Sequence, residues 1–204
     1  ETTAHWLTMT LYYLTRYPEH LERIHKETHK LFAENSQPSD HLRSDTLKNP
    51  HSLLGAKEFP FLHAFTQEVL RLDGSIPIYS RDTTTDLNIN GIPIPKGSHV
   101  FLLLWGSHRL DHYWDNPNDF NPNNFLNKST HKKFFGFGYG QRKCMGKYFA
   151  ELTVKLFVLE YIHHAKFRIQ IPEEYAPQSK IMPTARLIEP IPFKFVKKLD
   201  NQNT

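Results

Sequence analysis

Four of the chain's nine glycines stand at positions 136, 138, 140 and 146, and its only cysteine, Cys144, lies among them. Glycine permits positive φ and lets a backbone come close to another body, so this stretch has to be a tight, deliberately shaped loop. Directly after it, from about Gly146 to His163, Phe149, Leu152, Leu156 and Leu159 recur at helical spacing and read as the inner face of a long helix. The thiol therefore sits where a glycine-rich loop turns into a helix. A helix start offers unpaired N–H groups and a partial positive charge, which favour thiolate, and Arg142 and Lys143 add to that field. Phe137 is available as an apolar shield.

Such a thiol has three readings. It could be a nucleophile served by one of the thirteen histidines, although none stands at a recognised partner spacing. It could ligate a metal that already has its other ligands, as a porphyrin iron does. It could also be a small buried hydrophobe. One cysteine excludes an intrachain disulfide and a Cys-rich zinc site.

Composition narrows the class. The 204 residues carry a formal charge of +4, too small and scattered to demand a nucleic-acid partner. Fifteen Phe and nine Tyr argue against a disordered chain. No run approaches the roughly 18–20 apolar residues of a bilayer span. The chain opens at Glu1 inside an apolar-periodic stretch with no signal or targeting segment ahead of it, and reads as a truncated protein; no membrane anchor is present in these letters.

Trp6, Leu7, Met9, Leu11, Tyr13 and Leu14 fall on more than one face, as in a helix buried nearly all round, which Pro18 ends. A second helix carries Leu21, Ile24, Thr28, Leu31 and Phe32 on one stripe, and residues 35–51 read as a surface loop. Pro60 opens a third helix with Phe61, Phe65, Val69 and Leu72 inside and Gly74 placed to stop it. Asn90-Gly91 between Leu87-Asn88-Ile89 and Ile92-Pro93-Ile94 is a two-residue hairpin signal. Val100 to Trp105 reads as a buried strand, residues 107–140 as irregular but ordered, and 167–171 and 191–196 as further strands. The expected class is mainly α with small peripheral β-sheets.

The pattern Phe137-x-x-Gly140-x-Arg142-x-Cys144-x-Gly146 resembles the haem-ligand signature of the cytochrome P450 family, with all five fixed positions present. By ordinary residue usage, such a match arises by chance in roughly one chain of this length in ten thousand or fewer. Glu68-Val69-Leu70-Arg71 is similar to the family's Glu-x-x-Arg, whose two side chains share a helix face. Phe120-Asn121-Pro122-Asn123-Asn124-Phe125 resembles the loop that buries that pair, with Asn124 where an Arg is usual; an amide can hydrogen-bond there but cannot complete the usual ionic triad. His108-Arg109, Trp114 and Pro117 fit the stretch before that loop, and Glu1-Thr2-Thr3 resembles the acid–alcohol end of the long distal helix. The resemblance covers residues 1–204 as the carboxy-terminal portion of a single cytochrome P450 domain.

The resemblance implies a haem-thiolate monooxygenase that inserts one atom of O2 into a small apolar substrate. Electrons would come from NAD(P)H through a flavoprotein reductase or ferredoxin-type donor. It implies haem b with Cys144 as the axial ligand, Phe137 packed beside it, and Gly138 and Gly146 shaping the loop. Arg142 and Arg81 would meet the propionates, while Thr2 and Glu1 would relay protons. Ser75 to Tyr79 and Leu187 to Pro190 would touch substrate, and Lys132, Lys133, Lys143 and Lys147 would attract an acidic redox partner. The implied alternatives are a haem-binding fragment without turnover, since this chain alone is expected to be inactive, and an O2-independent isomerase or dehydratase. His25/His29 and His108/His112, each four apart, read as solvated rather than as a non-haem metal site.

Overall fold

The computed structural model describes residues 1–29, 57–126, 133–181 and 184–197. The expected loop at 35–51, together with Leu31, Phe32 and Lys132, lies outside the described residues.

Among the described residues, four principal helices build the core. Helix α1 spans Thr2–Arg16 and stops at Tyr17, whose extended backbone (φ −124°) is what a following proline favours. Pro18 is then the first residue of α2, Pro18–Thr28. Helix α3 spans Pro60–Asp73. Its first free N–H groups, at Phe61 and Leu62, each donate to the Glu27 carboxylate at 2.8 Å, so α2 caps α3. A short helix α4, Leu104–Ser107, precedes the long α5, Lys147–His163.

Helix α3 is the central element. Every residue from Phe61 to Leu72 except His63 is buried, so this helix, and not α1, is enclosed nearly all round. In α1, Trp6, Met9, Tyr13 and Leu14 face inward while Leu7, Leu11 and Tyr12 stay partly open. Gly74 does end α3, but in extended geometry (φ −62°, ψ 143°) and not in a left-handed turn. Its missing side chain matters for space, because a Cβ there would come 2.5 Å from the Leu70 carbonyl oxygen.

Helix α5 is rotated from its expected setting. Val154, Val158, Leu159 and Ile162 face the core together with Glu151 and Lys155, while Phe149 is 76% exposed. The polar pair is tolerated because α3 supplies partners. Gln67 Nε2 donates to Glu151 Oε1 at 3.0 Å, and Lys155 Nζ lies 3.0 Å from His63 Nδ1. Burial raises the Glu151 carboxyl above its ordinary range and brings the Lys155 ammonium down to about 8.

Among the described residues, eight short strands pair as four antiparallel ribbons: β1 (Ile78–Asp82) with β4 (His99–Leu103), β2 (Leu87–Ile89) with β3 (Ile92–Ile94), β5 (Phe167–Gln170) with β8 (Lys194–Lys197), and β6 (Ser179–Ile181) with β7 (Ala185–Leu187). The β2–β3 turn has φ 52° at Asn90 and 86° at Gly91, the doubly left-handed turn the dipeptide predicts. The expected buried strand at 100–105 is corrected. Strand β4 is largely open, with Phe101 65% exposed, and Leu104 and Trp105 already belong to α4. Among the described residues it pairs with β1 alone, and no layer covers the ribbon's apolar face. The β6–β7 ribbon was not foreseen, since three-residue strands carry too little pattern to register.

Candidate functional site

The glycine-rich loop closes on itself. Gly138 (φ 74°) and Gly140 (φ 70°) take left-handed conformations that a side chain would strain. Residues Gly140–Arg142 make one 3-10 turn, and the Cys144 amide donates to the Phe137 carbonyl at 2.8 Å. That bond folds the chain back so that Cys144, which is exposed, stands just before α5 with its thiol free. Trp6 meets Phe137 edge-on at 5.7 Å, and the Lys147 ammonium lies 5.6 Å from the Phe137 ring centroid. The loop is thereby held between α1 and α5.

Cys144, Phe137 and Arg142 line a cavity of about 420 Å³ together with Thr2, Thr3 and Trp6 of α1. Leu70, Phe149 and Ala150 add apolar wall, and Ser75, Ile76 and Tyr79 close one side. The Ser75 hydroxyl donates to the Thr2 carbonyl at 2.8 Å, which ties that side to α1. Burial, and then the nearness of Cys144, raise the Tyr79 phenol above its usual value, with Arg81 partly opposing.

Glu68 and Arg71, both wholly buried, lie on α3 against the stretch that precedes the loop. Arg71 Nε and Nη2 donate to the two Glu68 oxygens at 2.8 and 2.7 Å. Its remaining donors reach the carbonyls of His108 and Pro117, both at 2.7 Å, and Asp119 at 3.0 Å. One guanidinium thus holds the irregular stretch 108–119 against α3 with all of its N–H groups used. On the carboxylate side, Glu68 Oε1 also accepts from the Asn121 amide at 2.9 Å and from Asn124 Nδ2 at 3.1 Å. Asn124 therefore occupies the third place of the cluster as a neutral donor. Asn124→Ala is expected to cost about 1–2 kcal/mol, one hydrogen bond to a buried carboxylate, read as a fall of a few degrees in the thermal midpoint.

His108 joins this cluster to the thiol loop, and its solvated reading is corrected: it is buried, while His112 is exposed. Its Nε2 accepts the Phe135 amide at 3.1 Å and its ring stacks on Phe134 at 5.1 Å. Burial, then the charge of Arg71, bring its pKa down to about 4. Folded His108 thus stays neutral where unfolded histidine, near 6.5, takes a proton. Its contribution to stability is present above pH 6.5 and is lost as pH falls through that value to about 4. Acid titration is expected to remove about 3 kcal/mol over that window. His108→Gln, which keeps a polar side chain but cannot titrate, should show a flatter stability profile there.

The remaining candidates are dispersed. Glu1 stands just before α1 without capping it through its side chain; both its carboxylate oxygens accept from Arg186 Nη2 at 2.7 Å, outside the cavity that Thr2 lines. Arg81 is exposed and does not line the cavity; its Nη1 donates to the Ser80 carbonyl, and its guanidinium carbon lies 5.4 Å from the Tyr79 ring centroid. Lys143 is exposed, and Lys133 sits over Tyr113 at 5.7 Å. Leu187 lies with Glu1 beside a separate, shallow depression. His25 stacks on His163 at 4.9 Å, and no cluster of three or more potential metal ligands exists among the described residues. Sequence reasoning missed Trp6 as a wall residue, although its four-residue offset from Thr2 puts both on one helix face.

The family model described as Cytochrome P450 matches residues 1–196. Human cytochrome P450 2J2 is 30% identical over 172 residues, which are 82% of this chain and 32% of that protein. Cytochrome P450 1A1 of Limanda limanda is 32% identical over 182 residues, 85% of this chain and 32% of that protein. Among solved structures, the retinoic acid-bound cyanobacterial CYP120A1 superposes with a TM-score of 0.80 at 27% identity, covering 97% of this chain and 43% of that one. The chain spans about a third of the length of the curated relatives it matches.

Proposed function

Since this chain belongs to the cytochrome P450 family, we propose that it supplies the haem-thiolate centre of a monooxygenase. The observation that carries this reading is the exposed Cys144 thiol, held at the mouth of a mainly apolar cavity and faced by Thr2. The residues there fit haem b. Trp6, Leu70 and Phe137 offer apolar surface to a flat macrocycle, Cys144 offers one soft ligand to a metal that has four nitrogens already, and Arg142 offers positive charge to its acidic edge. When bound, haem with a thiolate ligand supplies cleavage of the O–O bond, leaving one oxygen atom in an apolar substrate and one in water.

The chain's own groups then have definite tasks. The Cys144 sulfur is the ligand, and the bond from its amide to Phe137 keeps it oriented. Gly138 lets the loop turn, and Gly146 begins the helix whose end faces the sulfur. Trp6 and Phe137 exclude water. The Thr2 hydroxyl holds a proton at the cavity wall, and Glu1 resupplies it after leaving Arg186. Arg142 and, from further out, Arg81 balance the carboxylates of the macrocycle. Lys133, Lys143 and Lys147 form the positive ground for an acidic flavoprotein reductase or ferredoxin-type donor carrying electrons from NAD(P)H.

Phe149 stands 76% exposed at the cavity's edge. For this chain by itself, that openness favours the second reading, haem binding without turnover. The test is an absorption spectrum of the haem-loaded full-length protein, reduced and treated with carbon monoxide. A strongly red-shifted Soret band is expected, with product formation that requires dioxygen. Product formed equally without dioxygen would identify an isomerase or dehydratase, and an unshifted band would overturn the thiolate.

A further inference from the structure

Helix α1 joins two cavities. Trp6 lines the one it shares with Cys144, while Tyr13 and Tyr17 line a second, more polar one of about 650 Å³ with Tyr12, Arg16 and Asp73. Trp6, Met9, Tyr13 and Tyr17 follow one another at steps of three, four and four residues, a single stripe along the helix. Trp6, Met9 and Tyr13 are buried, and Tyr17 is half-buried. Packing alone would be served by leucine or phenylalanine, yet all four are side chains that give up a single electron readily. Trp6 and Tyr13 are about 10 Å apart along the axis at 1.5 Å per residue, and the polarizable thioether of Met9 lies between them. The Tyr13 and Tyr17 rings stack at 6.2 Å, with Tyr12 edge-on to Tyr13 at 5.2 Å.

An oxidised phenol is a strong acid, so a tyrosine loses an electron easily only where its proton has an acceptor. The Tyr13 hydroxyl donates to Asp73 Oδ2 at 2.6 Å, a short bond to a charged group. Burial, and then the charge of Asp73, raise this phenol above its usual value, so Tyr13 keeps its proton at rest.

We propose that α1 carries an oxidising equivalent away from the haem, along Trp6, Met9 and Tyr13 to Tyr17, with Asp73 taking the Tyr13 proton. The assignment goes beyond the monooxygenase reading and rests on its haem. The oxidant is haem that has reacted with hydrogen peroxide. Trp6 gives it one electron and regains one from Tyr13 by way of Met9. As it does so, Tyr13 passes its phenolic proton to Asp73 and becomes a neutral radical. An electron from Tyr17, whose own proton goes to solvent, and the proton held on Asp73 then restore Tyr13. A one-electron reductant in solution, such as ascorbate, restores Tyr17 with a proton from water. Each passage removes one oxidising equivalent that would otherwise attack the macrocycle.

The haem-loaded full-length protein, ferric and without substrate, is mixed with hydrogen peroxide, frozen within seconds and examined by electron paramagnetic resonance. A tyrosyl signal is expected, narrowed when the protein carries ring-deuterated tyrosine. Tyr13→Phe keeps the ring stacked on Phe120 at 4.0 Å and removes only the hydroxyl. Asp73→Asn keeps the shape of the side chain but does not take the proton. Both variants are expected to lose the tyrosyl signal, and their Soret bands should bleach faster in peroxide than the parent's. Variants that keep the parent's signal and bleaching rate overturn the assignment. A parent with the red-shifted carbon monoxide band that forms no tyrosyl radical overturns the relay and leaves the haem reading standing. Failure of the parent to take up haem overturns both together.

Discussion

Arg71→Ala is expected to leave the chain insoluble or unfolded. The side chain is wholly buried, and its five N–H bonds end on one carboxylate and three backbone carbonyls. Truncation strands the Glu68 charge in the interior and orphans the carbonyls of His108, Pro117 and Asp119 in one step. Breaking a buried pair by removing one partner costs about 3–5 kcal/mol, against a total stability of about 5–15 kcal/mol for an ordinary domain. The damage spreads beyond the pair, because the stretch that Arg71 pins also carries His108, which holds the Phe135 amide at the base of the thiol loop. Arg71→Lys would keep the charge and still fail, since an ammonium has three donors and no planar fork. Soluble yield and denaturant unfolding of the two variants measure this. An Arg71→Ala protein that melts within about 2 °C of the parent would show that the cluster does not hold the fold.

What the sequence made legible was the chemistry written in consecutive letters. The loop from Phe137 to Gly146, the Asn90-Gly91 turn and the Glu68–Arg71 spacing each depend on neighbours a few residues away, and each appears in the structure where the letters put it. What stayed hidden depends on distant partners. Helix α5 has apolar residues on nearly every side, so periodicity could not choose its inner face; Gln67 and His63 of α3 choose it by satisfying Glu151 and Lys155. His108 looked like one of many surface histidines until Phe135 and Arg71 closed round it. Strand β4 has a buried composition but an open surface, and Leu102 and Leu103 beside Phe101 are equally uncovered. The position of Glu1 against Arg186 joins the two ends of the described chain, a contact that no local pattern encodes.

Cys144→Ala is expected to abolish the red-shifted band of the reduced carbon monoxide complex and all product formation by the full-length protein, while leaving the fold as it is. The two halves of that expectation have separate causes. The thiol is exposed, so its removal opens no cavity, and the loop is held by the Cys144 amide, which alanine retains. A surface substitution of that kind changes stability by less than about 0.5 kcal/mol. The chemistry has no such reserve. Cys144 is the only thiol in these 204 residues, and the thioether of the adjacent, exposed Met145 cannot become a thiolate, so the electron donation that favours O–O cleavage goes with the Cys144 sulfur. Cys144→His sharpens the test, because an imidazole still ligates iron but pushes less electron density on to it. That variant should take up haem and keep a band in the position typical of nitrogen ligation, without turnover. Arg71→Ala and Cys144→Ala therefore fail in opposite ways, one losing the fold and the other only the sulfur. A Cys144→Ala protein whose band and product yield match the parent would place the ligand elsewhere in the chain.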